Sequence, residues 1–145
     1  MKEKVKVSCL ECGTTNNYPV DKTEKKVVCG RCKNVLPVPG QVLEPPANQV
    51  VNLVQNSRLA LLIDFYSPTC VPCHMMHAVV ENLAKRRAGE VMVVRINVDD
   101  KRELASAFNI QAVPTFIVLK QGFEVARTSG AINETDFSLW VASKT

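Results

Sequence analysis

The stretch Ile63-Asp64-Phe65-Tyr66-Ser67-Pro68-Thr69-Cys70-Val71-Pro72-Cys73-His74 decides the fold. Leu59–Tyr66 is an apolar run of buried-strand length, interrupted only by Asp64. Pro72 suits the first turn of a helix, where its missing N–H costs nothing. Met76, Val79, Val80 and Leu83 then keep helical spacing, and Lys85, Arg86 and Arg87 suit the negative end of its dipole before Gly89. The stretch is therefore a strand delivering Cys70 to a helix N-terminus. The unpaired N–H groups there favour a thiolate, which makes Cys70 the expected nucleophile. Cys73, one turn on, is placed to resolve a mixed disulfide, so that the pair closes as a redox-active disulfide. Burial in the apolar run would raise the pKa of Asp64 and make it a proton acceptor for Cys73.

Downstream, Val91–Val98 reads as a second buried strand. Asp99 or Asp100 is expected to cap a short helix carrying Leu104 and Phe108. Thr115–Leu119 and Glu124–Thr128 read as a hairpin turned at Gln121-Gly122. A last helix after Asn133 buries Phe137, Trp140 and Val141, and upstream Val50, Val51, Leu53 and Val54 suit one side of a short helix. The sum is an α/β fold, a mixed central sheet flanked by helices on both faces. Val113-Pro114-Thr115 opens a strand, and spacing alone does not make its peptide bond cis.

Ahead of this lies a different kind of sequence. Cys9-x-x-Cys12 and Cys29-x-x-Cys32 match the spacing of paired zinc knuckles, four soft ligands for one tetrahedral ion. The piece is too small to bury a sufficient core, and metal binding would supply the missing folding energy. Pro37, Pro39, Gly40, Pro45 and Pro46 mark a connection. The expected division is a zinc ribbon over residues 1–38, a linker over 39–47 and the α/β domain over 48–145.

Composition excludes several classes. The 145 residues are 46% hydrophobic and 22% charged, ordinary for a globular chain. The longest aliphatic run, Leu59–Ile63, falls far short of the roughly 20 residues a membrane helix needs. No apolar stretch follows the basic start, so no signal peptide is read and a cytoplasmic address is expected. Residues 1–40 carry eight Lys/Arg against four Asp/Glu, and the remainder carries ten of each. Four thiolates on one dication would halve that excess, so Lys2, Lys4, Lys6, Lys25 and Lys26 read as a solvated basic face, not a nucleic-acid site.

Residues from about 48 onward resemble thioredoxin, on Asp64-Phe65, Cys70-x-Pro72-Cys73, Val113-Pro114-Thr115, Lys120-Gln121-Gly122 and Ser129-Gly130-Ala131. With the two knuckle pairs in front, the chain resembles the zinc-carrying second type of bacterial thioredoxin. The resemblance implies a reductase of protein disulfides in which Cys70 attacks, Cys73 resolves, Asp64 is the buried acid and Pro114 is cis. It implies too that backbone near Val113 and Gly130 holds the substrate chain, and that thioredoxin reductase recharges the dithiol from NADPH. The chain departs from the family at Thr69 and Val71, where Trp and Gly are usual, and these two alter the docking surface beside Cys70. Tyr66, His74 and Arg95 replace a usual Trp, a Lys or Arg, and a Lys.

Three rival readings share these residues. Cys70-x-x-Cys73-His74 matches a haem-attachment pattern, with Met75 or Met76 as the conceivable axial ligand. Cys70, Cys73, His74 and His77 share one helical face and are of metal-ligating type. A zinc-ribbon binding module with a weakly active thioredoxin-like part is the competing class of function.

Overall fold

The computed structural model describes residues 4–19 and 26–145, so Lys2 and Lys25 of the basic face lie outside it. The elements in chain order are β1 (Lys4–Ser8), β2 (Thr15–Pro19), β3 (Val42–Leu43), α1 (Ala47–Asn56), β4 (Ala60–Tyr66) and α2 (Val71–Arg86). They are followed by β5 (Val91–Asn97), α3 (Arg102–Ala107), β6 (Thr115–Lys120), β7 (Phe123–Ser129) and α4 (Glu134–Lys144). Five strands form one sheet in the order β3-β5-β4-β6-β7. β4 runs parallel to β5 and antiparallel to β6, the mixed sheet expected. The hairpin turns at Gln121 and Gly122, whose φ values of 52° and 86° suit a tight two-residue connection.

Alternation along β4 splits its side chains between two cores. Leu61, Ile63 and Phe65 face α1 and α3, packing with Val50, Leu53 and Leu104. Leu62 faces the other way, under Met76, Val80 and Leu83 of α2 and Phe137 and Val141 of α4. Asp64, two residues beyond Leu62, belongs to this second face. Trp140, expected in the core, is only half-buried.

One expectation at an element end needs correction. α3 starts from Lys101 with no side-chain cap. The Asp99 carboxylate instead accepts from Ser67 Oγ at 2.9 Å, and Asp100 from Asn97 Nδ2 at 3.2 Å, so neither is free to cap. Within the proline-rich segment, Val42 and Leu43 pair with Val93 and Val94 as a short edge strand, and α1 begins at Ala47. That segment is partly woven into the sheet.

β1 and β2 form a separate antiparallel ribbon. Its apolar residues Val5, Val7 and Tyr18, with Leu36 after the second cysteine pair, join the α1 core and do not make one of their own. The seam is close. Ser8 Oγ and Ser57 Oγ are both buried and lie 2.7 Å apart, and Asn52 Nδ2 donates to the Glu11 carbonyl at 2.8 Å. Gly13 holds φ +76° against the end of α1, where a Cβ would come 2.1 Å from that of Asn56. Among the described residues no helix is long and apolar enough to cross a membrane.

Candidate active site and metal centre

β4 ends at Tyr66, and the chain turns through Ser67–Thr69 into α2 with Cys70 as its N-cap. The Cys70 sulfur accepts the backbone N–H of Cys73 at 3.1 Å, the helix-end contact that stabilises a thiolate. No acidic residue stands in the first turn to oppose it. Cys70 and Cys73 are joined in a disulfide with their Cα atoms 5.2 Å apart. The two sulfurs are unequal in access: Cys70 is half-buried, whereas Cys73 is 1% exposed.

Around this pair the structure gathers the remaining residues singled out above. The Val113–Pro114 bond is cis, and the Val113 carbonyl lies 3.7 Å from the Cys70 sulfur. Gly130 N–H donates to the Pro114 carbonyl at 2.9 Å, tying the end of β7 to the same loop. Thr69 is exposed, and Val71, between the two cysteines in the chain, is 68% exposed. His74 does not turn to the sulfurs; its Nε2 lies 2.7 Å from the Pro68 carbonyl. Among the described residues, His74 and His77 do not join Cys70 and Cys73 in a metal-type cluster.

Beneath the helix, Asp64 is 1% exposed and paired with Arg95 on the neighbouring strand, Nε to Oδ2 at 3.3 Å. Burial pushes its carboxyl up to about 6, although Arg95 pulls it down. Desolvation wins because the pair is monodentate and leaves Asp64 Oδ1 and Arg95 Nη2 without partners. The Arg95 guanidinium also lies over the Tyr66 ring, 5.9 Å from its centroid. Tyr66 in turn donates to Glu44 Oε1 at 2.5 Å, and burial with this bond raises its phenol to about 12. His77 stands edge-on to Tyr66, and burial together with the charge of Arg95 lowers its pKa. Sequence reasoning missed Glu44, which comes from the linker and carries no motif.

The raised Asp64 has a consequence for stability. A folded-state pKa above the unfolded value means the carboxyl favours folding when protonated, below the usual value near 4. That contribution is lost as pH rises through about 6. Unfolding free energy should therefore fall by up to about 3 kcal/mol between pH 4 and 7 from this one group. Denaturant melts of wild type and Asp64→Asn across that range check it: the variant should lack this slope.

The second cluster is in the ribbon. Two knuckles close with the Gly13 and Lys33 N–H groups on the Cys9 and Cys29 carbonyls at 2.9 and 3.0 Å. They bring the sulfurs of Cys9, Cys12, Cys29 and Cys32 within 4.8 Å of one another. Cys9–Cys32 and Cys12–Cys29 are separated by 3.5 and 3.6 Å. A tetrahedral metal with bonds of about 2.3 Å would set sulfurs roughly 3.8 Å apart, so the donor set fits a metal ion with little movement. N–H groups also point at the sulfurs: Asn16 and the Arg31 backbone to Cys29, and Asn34 to Cys32. Such outer contacts orient thiolate ligands. This cluster adjoins the amino end of β4, and the Cys70–Cys73 pair follows its carboxyl end.

A helix-capped cysteine pair beside a cis-proline loop, following a strand that carries a buried carboxylate, defines a thiol–disulfide oxidoreductase. The chain belongs to the thioredoxin family, whose model, described as Thioredoxin, matches residues 41–143. It is 31% identical over 135 residues to thioredoxin C-3 of Corynebacterium nephridii, covering 93% of this chain and 92% of that one. It is 36% identical over 90 residues to a thioredoxin of Haemophilus influenzae, covering 62% of this chain and 84% of the relative. A solved thioredoxin mutant from Halobacterium salinarum superposes with a TM-score of 0.66 at 30% identity, over 74% of this chain and 93% of that one. Cys70 and Cys73 are the active-site pair.

Proposed function

We propose that the chain reduces protein disulfides with Cys70 as the attacking sulfur and Cys73 as the resolving one. The observation that carries this is the asymmetry of the pair: one half-buried cysteine whose sulfur is capped by the helix, one enclosed at 1% exposure. The Cys70 thiolate bonds to one sulfur of the substrate disulfide, and the other leaves as a thiolate. Asp64 accepts the Cys73 proton, and the Cys73 thiolate then bonds to Cys70 and expels the second substrate sulfur. The substrate gains two electrons and the dithiol is left as the Cys70–Cys73 disulfide. Thioredoxin reductase, drawing on NADPH, restores it.

Substrate docks on the surface formed by Thr69, Val71 and the backbone of Val113 and Gly130, next to Pro114. Exposed apolar Val71 next to Cys70, with the Val113 carbonyl 3.7 Å from the Cys70 sulfur, suits an extended chain bearing a disulfide. Cys9, Cys12, Cys29 and Cys32 hold one zinc ion, which crosslinks the ribbon and takes no part in exchange. Four thiols kept for a metal fit a reducing compartment, which supports a cytoplasmic address. The working division is a ribbon at 1–38, a linker at 39–47 and a thioredoxin domain at 48–145; the separate two-stranded sheet supports the ribbon, and Val42–Leu43 ties the linker to the main sheet.

Replacing Cys73 with Ser tests the assignment of the two sulfurs. The variant should accumulate a stable mixed disulfide through Cys70 with a disulfide-bearing protein, visible on non-reducing gels and cleaved by dithiothreitol. Absence of any adduct under conditions where wild type turns over would reverse or remove the proposed roles.

A further inference from the structure

The geometry points to Glu44 as a positioning residue that sets the protonation of Asp64 through Tyr66 and Arg95. Glu44 stands at the end of β3, in the segment joining the ribbon to the sheet, remote in sequence from every redox motif. Its carboxylate accepts the Tyr66 hydroxyl at 2.5 Å. The ring of Tyr66 lies under the Arg95 guanidinium at 5.9 Å, and Arg95 Nε bonds to Asp64 at 3.3 Å. One cation is thus shared by two carboxylates, one directly and one through a polarised phenol. The inference rests on Asp64 being the proton acceptor of Cys73.

The other groups facing Asp64 do not offer the same route. On α2, His77 stands edge-on to Tyr66, and its Nε2 makes no hydrogen bond to another residue. Further along α2, Glu81 and Lys85 line a cavity of about 260 Å³ with Arg95, Gly40, Gln41 and Val42, where their opposite charges offset each other. From β6 and α4 come Phe116 and Phe137, which carry no charge. Glu44 is the carboxylate bonded to a group that touches Arg95. Its charge draws the Tyr66 hydroxyl outward and makes the ring a better partner for the cation. Both effects, with direct repulsion between the carboxylates, favour protonated Asp64.

The test follows the Asp64 carboxyl by carbon-13 NMR, assigned with Asp64→Asn, in wild type, Glu44→Gln, Tyr66→Phe and Glu81→Gln, alongside the pH dependence of insulin reduction. Glu44→Gln should move the carboxyl titration down by about 0.3 pH unit, with the acid limb of the rate profile following. Well below the inflection the variant would then be about twofold faster than wild type. Tyr66→Phe should shift it in the same direction, and Glu81→Gln should leave it in place. An unmoved titration in Glu44→Gln overturns the inference. So does an equal shift in Glu81→Gln, which would make the effect one of general surface charge. A shifted titration with an unshifted rate limb supports the link from Glu44 to Asp64 and instead removes Asp64 from proton transfer.

Discussion

Replacing Cys70 with Ser should lower dithiothreitol-driven insulin reduction by at least about a thousandfold. A serine hydroxyl at the same N-cap can still accept the Cys73 N–H, so the helix start survives. It cannot bond to a substrate sulfur in a redox sense, and it is not ionised near neutrality. Cys73, at 1% exposure, cannot stand in for it against a folded protein substrate. The measurement is the turbidity rate with wild type and variant at equal concentration, with far-ultraviolet circular dichroism as the folding control. A variant retaining a tenth of the rate would place the chemistry on another sulfur.

Removing the metal ion proposed for Cys9, Cys12, Cys29 and Cys32 should produce the largest loss of stability. Structural thiolate sites contribute on the order of 10 kcal/mol or more of apparent binding energy, comparable with the whole folding free energy of a domain. In many modular proteins that loss would be confined to the metal lobe. Here Cys9 and Cys29 are fully buried and share one core with Val50, Leu53, Leu61 and Ile117. Stripping the ion should therefore destabilise the sheet as well, lowering the melting temperature of the chain by at least about 10 °C. The holo-protein should unfold in a single calorimetric transition. Two transitions, with the upper one unmoved by a chelator, would show that the lobe and the sheet fold independently. Metal analysis before and after chelation identifies the ion and its stoichiometry.

The active-site pair and its strand–helix setting were legible because their signals are local: an apolar run, a proline in a first turn, and sulfurs three residues apart. Asp64 was legible for the same reason, being an acid enclosed by Leu61–Phe65. What escaped depends on contacts between distant segments. Asp99 looked like a cap until Ser67 claimed its carboxylate, across 32 positions. Val42–Leu43 looks like linker because a short edge strand owes its existence to β5 and not to its own residues. Glu44 reaches Tyr66 over 22 positions, with no pattern to announce it. The cis bond before Pro114 came only from the family resemblance, and spacing left it open. Nothing in the periodicity of residues 4–19 indicates that Val5 and Val7 are completing another domain's core.

The contact of Gly13 with the end of α1 leaves no clearance for even a methyl group. Position 13 is therefore held to glycine, by its left-handed backbone and by a Cβ at position 56 that every residue except glycine carries. Anyone wishing to graft this metal lobe onto a different scaffold would have to carry the last turn of α1 along with it. In that sense the heritable module is larger than its cysteines suggest: its true border lies inside the helix.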